Sequence, residues 1–472
     1  MKKFLLIGAT ALMVSNSTFA GGVLTNTNQN ATFLRNPARN AAIAIDGVYS
    51  NPAGIAFLPE GFHLSVSWQA AFQKRQMDAT NNLFQMNTNN QSTNRFFEGE
   101  TNAPVIPSFQ AAYVINDKWS VSAQFAVGGG GGACEFNEGL PMFEELVGGK
   151  LYGAQATSYS LKQNLTGEQY FYGFQVGATY KVTDNLSVFG GARGVLASCS
   201  YTGSINNVMA SGMAAGTYLS AVKAQVDAGL AQLEPVKDVA GYKEQYQTLS
   251  AQSVALAQGA ALLGSDFTLD CAQSGFGITP IIGIDWNLGK LNLAAKYEFR
   301  TKIELENDSK NTSANVTALM PAYADGAKVR SDIPALLTLG AQYQIADNFR
   351  AMVGGVYYWD KDAKGTPIKK GDNTWEANFG LEWDVTDKVM LSCGGQRTQF
   401  GFDDADMSDT NFFTGCSSLA IGGAYKFSEK MKLNVGYMHS LYDNHKFTNA
   451  NGTTCDYTRK NDAVGVSLDI TF

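Results

Sequence analysis

Apolar and polar residues alternate over many stretches of this chain, and the alternating stretches come in pairs. Six segments share one plan, an alternating run, a two- or three-residue polar turn and a second alternating run. They read AAYVINDKWSVSAQF from Ala111, GATYKVTDNLSVFGG from Gly177, GIDWNLGKLNLAAKY from Gly283, GAQYQIADNFRAMVG from Gly340, GLEWDVTDKVMLSCG from Gly380 and GGAYKFSEKMKLNVG from Gly422. A period of two puts successive side chains on opposite faces of a strand. The turn pairs Asn116-Asp117, Asp184-Asn185, Leu288-Gly289, Asp347-Asn348, Asp387-Lys388 and Glu429-Lys430 are mostly residues that tolerate tight-turn backbone angles. Each segment is therefore predicted to be a β-hairpin.

Six hairpins make twelve strands, and the alternating runs 62–72 and 463–472 raise the total to fourteen. Every tight turn is followed, after one strand, by a longer irregular connection. Outer-membrane barrels have that asymmetry, with short periplasmic turns and long outer loops. Both flanking strands then end on the tight-turn side, so both termini are expected in the periplasm. In the last strand Val464, Val466, Leu468, Ile470 and Phe472 share one face, opposite Gly465, Ser467, Asp469 and Thr471. Leu291, Leu293, Ala295, Tyr297 and Phe299 likewise oppose Asn292, Lys296, Glu298 and Arg300. In a membrane barrel the apolar set meets lipid, whereas in a soluble sandwich it would turn inward. The expected fold is all-β, a 14-stranded antiparallel transmembrane β-barrel over residues 62–472.

Composition narrows the class. Residues 1–20 carry Lys2 and Lys3, an apolar run and Thr18-Phe19-Ala20, which reads as a signal peptide with a mature start at Gly21. No later stretch has the ~18 to 20 continuous apolar residues of a membrane helix, while aromatics reach 11% and glycines number 49 of 472 residues. Barrel strands hide their hydrophobicity from an averaging window. A net charge of −7 argues against a nucleic-acid partner, which would require clustered Lys and Arg. The terminal aromatic Phe472, within an alternating strand, resembles the signal read by the barrel assembly machinery, an expected partner during biogenesis along with outer-membrane lipid and lipopolysaccharide. A monomer is expected.

Residues 21–61 do not read as a strand. They hold two Asn-Pro-Ala triplets, Asn36-Pro37-Ala38 and Asn51-Pro52-Ala53, and proline favours a compact irregular path. Ile43, Ile45, Val48, Tyr49, Ile55, Phe57 and Leu58 make a tail left in water a poor alternative. The stretch DGVYSNPAGIAFLPEGFHLSVS from Asp46 resembles the N-terminal hatch and first strand of the FadL family of outer-membrane transporters for long-chain fatty acids. Fourteen strands, six tight turns and an enlarged third outer connection extend the resemblance over the mature chain. It implies a barrel plugged by a hatch at 21–61, an internal hydrophobic pocket, and passive passage of long-chain fatty acids or other hydrophobic small molecules, aromatic hydrocarbons among them.

The connection at about 201–274 is enriched in Ala, Gln, Leu, Val and Lys. Apolar residues three or four apart over 218–233, and similar patterning over 242–263, predict two amphipathic helices joined near Pro235. They form either a cap that packs on itself or, as the resemblance implies, a first binding groove. Apolar ligands are captured by burial at about 0.8 kcal/mol per CH₂.

A carboxylate head would favour a luminal cation, and alternation nominates Lys296, Arg300 and Arg350. The rival reading pairs Lys296 and Arg300 with Glu298 and its neighbours. The run Gly128, Gly129, Gly130, Gly131, Gly132 ends the predicted third strand, where glycines weaken a ladder. It is either the start of a flexible loop or a kink in the wall, and the resemblance implies a lateral opening there.

Six cysteines lie in a chain expected to be exported, without CxxC pairs or nearby histidine. Disulfides near the outer rim are therefore expected rather than a metal site, with Cys199 and Cys271 as the first pairing, clamping the base of the helical insertion. No cofactor is expected. The three histidines, His63, His439 and His445, show no serine or aspartate partner in sequence, so an enzyme is not expected. A general porin or a structural surface protein of the outer membrane is the alternative.

Overall fold

A computed structural model describes residues 23–472, so the predicted signal peptide lies outside the described residues. Fourteen antiparallel strands close into a barrel. They are β1 (Gly61–Thr80), β2 (Asn94–Val114), β3 (Trp119–Phe136), β4 (Tyr159–Thr183), β5 (Leu186–Ala210), β6 (Phe267–Asn287), β7 (Leu291–Glu298, resumed at Glu304–Asp308), β8 (Lys328–Arg330, resumed at Leu336–Ala346), β9 (Phe349–Tyr358), β10 (Trp375–Asp384), β11 (Val389–Gln399), β12 (Cys416–Ser428), β13 (Met431–Tyr442) and β14 (Thr454–Thr471). The barrel closes where β1 pairs with β14 in unbroken register from His63↔Thr471 to Thr80↔Thr454.

All six predicted hairpins form, and both chain ends of the barrel lie at the tight-turn rim, where the Phe472 amide donates to Phe62 O at 2.9 Å. The strands run further than alternation predicted. β1 has 20 residues and β4 and β5 have 25 each, well beyond the ~9 to 11 that cross a bilayer. The wall therefore extends well past that length on the long-loop side. This shortens the helical insertion: β5 and β6 stay paired up to Ile205↔Phe267, leaving 211–266 for the connection instead of 201–274.

The outer face carries the apolar residues. In β14 Val464, Val466, Leu468 and Ile470 are half-exposed, while Gly465, Ser467 and Asp469 are buried inside. Ile278, Ile282, Leu339, Val353, Phe379, Leu419 and Ile421 are each more than half exposed on the outer wall. Water would penalise such a belt, and hydrocarbon accepts it.

The two helices α2 (Ala215–Leu233) and α3 (Lys243–Leu263) form a projecting hairpin. Only its base is buried, through Ala215, Leu219, Leu256, Gly259 and Leu263, so the distal half packs on itself. A shorter helix earlier in the chain, α1 (Pro141–Gly153), turns inward over the lumen and buries Phe143, Val147 and Leu151.

Candidate functional site: the filled lumen and a gap in its wall

Residues 23–58 lie inside the barrel, and their backbone polar groups are met by side chains from the inner face. Gln175 donates to Val48 O, Thr179 to Pro52 O, Ser187 to Ala53 O and Asn292 to Ala41 O, at 2.7 to 2.9 Å. Asn51 caps the turn Pro52–Phe57, accepting from the Gly54 amide, and donates to Asp285 of β6. A buried irregular segment needs such partners for every polar group.

Two ionic clusters hold this segment. Glu382 of β10 receives Arg35 at 2.6 Å, Arg39 at 2.9 Å and Arg350 at 2.6 Å, while Arg39 also pairs with Asp46 at 2.8 Å. Glu298 of β7 receives Arg193 at 2.6 Å and Lys296 at 2.7 Å. The Lys296 ammonium donates to Tyr49 O at 2.7 Å and lies 3.8 Å from the centre of the Tyr49 ring.

The three nominated cations therefore separate. Lys296 and Arg350 face the lumen and are engaged with acids, in different clusters. Arg300 falls in the break between the two halves of β7 and leaves the alternation. It sits at a part-exposed outer position, 3.7 Å from Asp332, and bonds to the Asp362 carbonyl. Arg35, Arg39 and Arg193 were not nominated. Alternation could have found Arg193, which is in phase with buried Ser187 on β5.

The lumen changes character along its axis. Toward the tight turns it is lined by Ser65, Ser67, Gln110, Ser122, Gln175 and Asn434. Toward the outer loops one apolar cluster runs from Val23, Leu24 and Phe171 through Phe136 and Phe143 to Phe400, Phe412, Phe413 and Tyr457. Among its members is Leu219 at the base of the helical hairpin.

Where these two zones meet, the wall is interrupted. β2 and β3 pair from Val114↔Ser120 to Ser108↔Ala126 and not again until Thr101↔Cys134. The open stretches are 102–107, which includes Pro104 and Pro107, and 127–133, which holds all five consecutive glycines. Proline cannot donate to a ladder. β3 continues through the glycines to Phe136 and does not end there, still paired to β4 but with register shifts at Val127/Gly129 and Gly130/Gly132. Gly130 and Gly131 have φ of +69° and +120°, backbone open mainly to glycine.

The bent strand turns toward the N-terminal segment. The Asn26 amide donates to Gly128 O at 2.9 Å, and Asn26 Nδ2 donates to Gly130 O at 2.8 Å. A Cβ at Gly129 would stand 2.2 Å from Leu24 O, and one at Gly130 would stand 2.1 Å from Gln169 O. A small enclosed cavity beside the bend, with room for about one water, is lined by Thr25, Gly128, Phe171, Arg193, Val195 and Glu298. On the outer face Tyr170 and Tyr172 stack at 5.5 Å next to the opening, against Ala103, Ile106 and Val127.

The expected disulfides are absent, and all six thiols are free. Cys199 stands opposite Gln273 and Cys271 opposite Tyr201, so the two are diagonal neighbours. Diagonal neighbours lie about 7 to 8 Å apart, their Cβ atoms somewhat less, against the ~3.5 to 4.5 Å between Cβ atoms that a disulfide requires. Cys393 faces outward. The histidines are dispersed: His63 bonds to Pro59 O, His439 to Asp462 and His445 to Asp404.

The class defined by this fold is a closed 14-stranded antiparallel barrel with an apolar outer belt and a filled lumen. Solved structures share it. A FadL homologue from Pseudomonas aeruginosa superposes with a TM-score of 0.62 at 13% identity, covering 96% of this chain and 100% of that one. The Pseudomonas putida toluene transporter TodX gives 0.55 at 13% identity over 96% and 100% of the two chains. The Ralstonia pickettii toluene transporter TbuX gives 0.51 at 14% identity over 94% and 99%. No family model and no curated protein matches the sequence. At these identities the likeness establishes the fold.

Proposed function

We propose that this protein is an outer-membrane channel of the FadL type, through which hydrophobic small molecules pass passively from the outer loops into the membrane. The single observation that carries this reading is the β2–β3 gap, placed at the inner end of the apolar lumen and above the polar, hydrogen-bonded plug. An apolar molecule that has reached Leu24 and Phe171 gains nothing by crossing the polar zone into periplasmic water. Exit sideways into lipid keeps it buried. Unpaired backbone facing lipid costs several kcal/mol per group, and here Asn26 of the plug takes the carbonyls of Gly128 and Gly130 that β2 does not reach. The names of the similar structures, a FadL homologue and two toluene transporters, support the same substrate class. In this reading residues 21–61 are the hatch, Gly128 to Gly132 are the hinge of the opening, and Lys296 and Arg350 hold the hatch in place.

Planar-bilayer recording paired with ligand binding tests this. The expected result is small, unsteady conductance together with saturable binding of an apolar probe such as 1-decanol. Large steady conductance without saturable binding would make the protein a general porin.

A further inference from the structure

The outer wall carries a feature that passage of a hydrophobic molecule does not use. β7 and β8 break off side by side, at 299–303 and 331–335, and then resume. On the tight-turn side of the break, aromatic rings cover the outer face. Tyr297 and Phe299 pack edge to face at 4.8 Å, and Trp359 joins them, 5.6 Å from Tyr297 and 5.0 Å from Tyr357. Within the break the phase of β7 inverts, so that Thr301 and Ile303 are buried while Lys302 and Glu304 face outward.

One carboxylate organises this region. Asp332 is fully buried. It accepts from Arg330 Nε at 3.1 Å, from the Ile303 amide at 3.2 Å and from the Lys364 amide at 3.3 Å, and Arg300 Nε lies 3.7 Å away. Three segments distant in sequence are thus drawn together, and each brings cations. Arg300 also bonds to the Asp362 carbonyl, next to Lys361. Asp332 is taken up by the two arginines, Glu304 by Lys328 at 3.5 Å, and Asp372 by Lys361 at 3.5 Å. Lys302 and Lys364 are exposed, and neither ammonium has a hydrogen bond or ion pair among the described residues.

Tyrosine and tryptophan rings settle where a membrane meets water, with their polar ends at head-group level. Cations just beyond such rings attract anionic lipid heads. A glycerophospholipid with one phosphate would leave most of these cations unmatched. A head with two or more phosphates on a sugar frame spans them, and its hydroxyls can donate to Asp362 and Asp372.

We propose that Arg300, Lys302, Arg330, Lys361 and Lys364 form a docking site for one phosphorylated glycolipid of the outer leaflet, with its acyl chains against the rings of Tyr297 and Phe299. The inference rests on the reading that the barrel spans an outer membrane with its long loops outside. The break in β7 and β8 is then what turns the cations toward the lipid head.

The test uses the full-length protein in nonionic detergent, freed of copurified lipid, with bisphosphorylated lipid A, dephosphorylated lipid A and phosphatidylglycerol as probes and native mass spectrometry as the readout. Wild type should retain one bisphosphorylated lipid A, at least about tenfold more tightly than either other lipid. Each cation near a lipid head contributes about fivefold in affinity. The double variant Lys302→Gln/Lys364→Gln, which removes no partner from any other residue, should therefore lose about twentyfold or more. Lys388→Gln/Lys426→Gln at the tight-turn rim should bind as wild type does. Equal loss in both double variants would reduce the effect to overall charge and overturn the site, as would equal affinity of wild type for the phosphorylated and dephosphorylated lipids. Phosphatidylglycerol bound as tightly as lipid A would overturn the choice of a glycolipid. Loss of the lipid preference while 1-decanol still binds saturably would remove the docking site and leave the channel standing.

Discussion

Arg35 and Glu382 lie 347 positions apart in sequence and 2.6 Å apart in space, both side chains almost wholly buried. This contact ties the N-terminal segment to β10, and Arg39 and Arg350 share the same carboxylate. Removing one partner of a buried ionic cluster leaves uncompensated charge and costs about 3 to 5 kcal/mol. Glu382→Gln would take the carboxylate from Arg35 and weaken the pairing of Arg39 and Arg350, which keep Asp46 and Asp384. The expected outcome is a loosened plug, seen as raised steady conductance and a lower unfolding temperature. Unchanged values of both would show that the cluster does not hold the plug.

The thiols make a second prediction. After denaturation without reductant, all six cysteines should take up an alkylating reagent, because none is bonded. In the folded protein within lipid, Cys393 on the outer wall should react first with a membrane-soluble maleimide, ahead of the five buried thiols. A pair that stays unlabelled until reduction would contradict the register that sets Cys199 and Cys271 diagonally.

Much of the barrel was legible because period-two alternation and turn chemistry are local signals. The six hairpins and the inward face of Lys296 follow from them directly. Strand ends were less legible. β1 was predicted to stop at residue 72 and β14 to begin at 463, so Arg75 and Arg459 fell outside the expected strands, although both are in phase with inward neighbours such as Gln73 and Asn461. Above the bilayer the outer face no longer needs to be apolar, and the alternation fades while the hydrogen-bonded ladder continues. Arg300 failed for the converse reason, since β7 is interrupted after Glu298 and the inward phase breaks with it. Sequence could not show that one glutamate would gather Arg35, Arg39 and Arg350, because that contact depends on how the hatch threads the lumen.

Asp409 makes the outer closure sensitive to pH. Burial, and then the nearby Glu145 charge, push its carboxyl up to about 7, while the hydrogen bonds from Tyr457 and Met142 oppose the rise. A carboxyl group with a raised folded value binds its proton more tightly in the closed arrangement than when released. Its contribution to closure is therefore full below its ordinary value near 4 and is lost as pH rises through about 7. Hydrogen exchange in the peptide covering 404–414, corrected for intrinsic rates, should be slower at pH 5.5 than at pH 8, as on the order of a decade in opening would require. Asp409→Asn should flatten the difference. The same pH dependence in that variant would assign it to another group.

The gap between β2 and β3 carries the account, and blocking it is the most direct measurement. Val at 129, 130 and 131 would place side chains where Leu24 O and Gln169 O stand within 2.2 Å of a Cβ and where φ is positive at Gly130 and Gly131. The strand can then keep neither its bend nor its contact with the plug, and straightening restores its pairing with β2. The triple variant, first shown to be folded by its heat-dependent shift in gel mobility, should bind 1-decanol at its outer face as wild type does. Its uptake of that probe into lipid vesicles should fall by at least about tenfold, equivalent to roughly 1.4 kcal/mol on the limiting step. Uptake at the wild-type rate by the folded variant would contradict lateral exit through this wall.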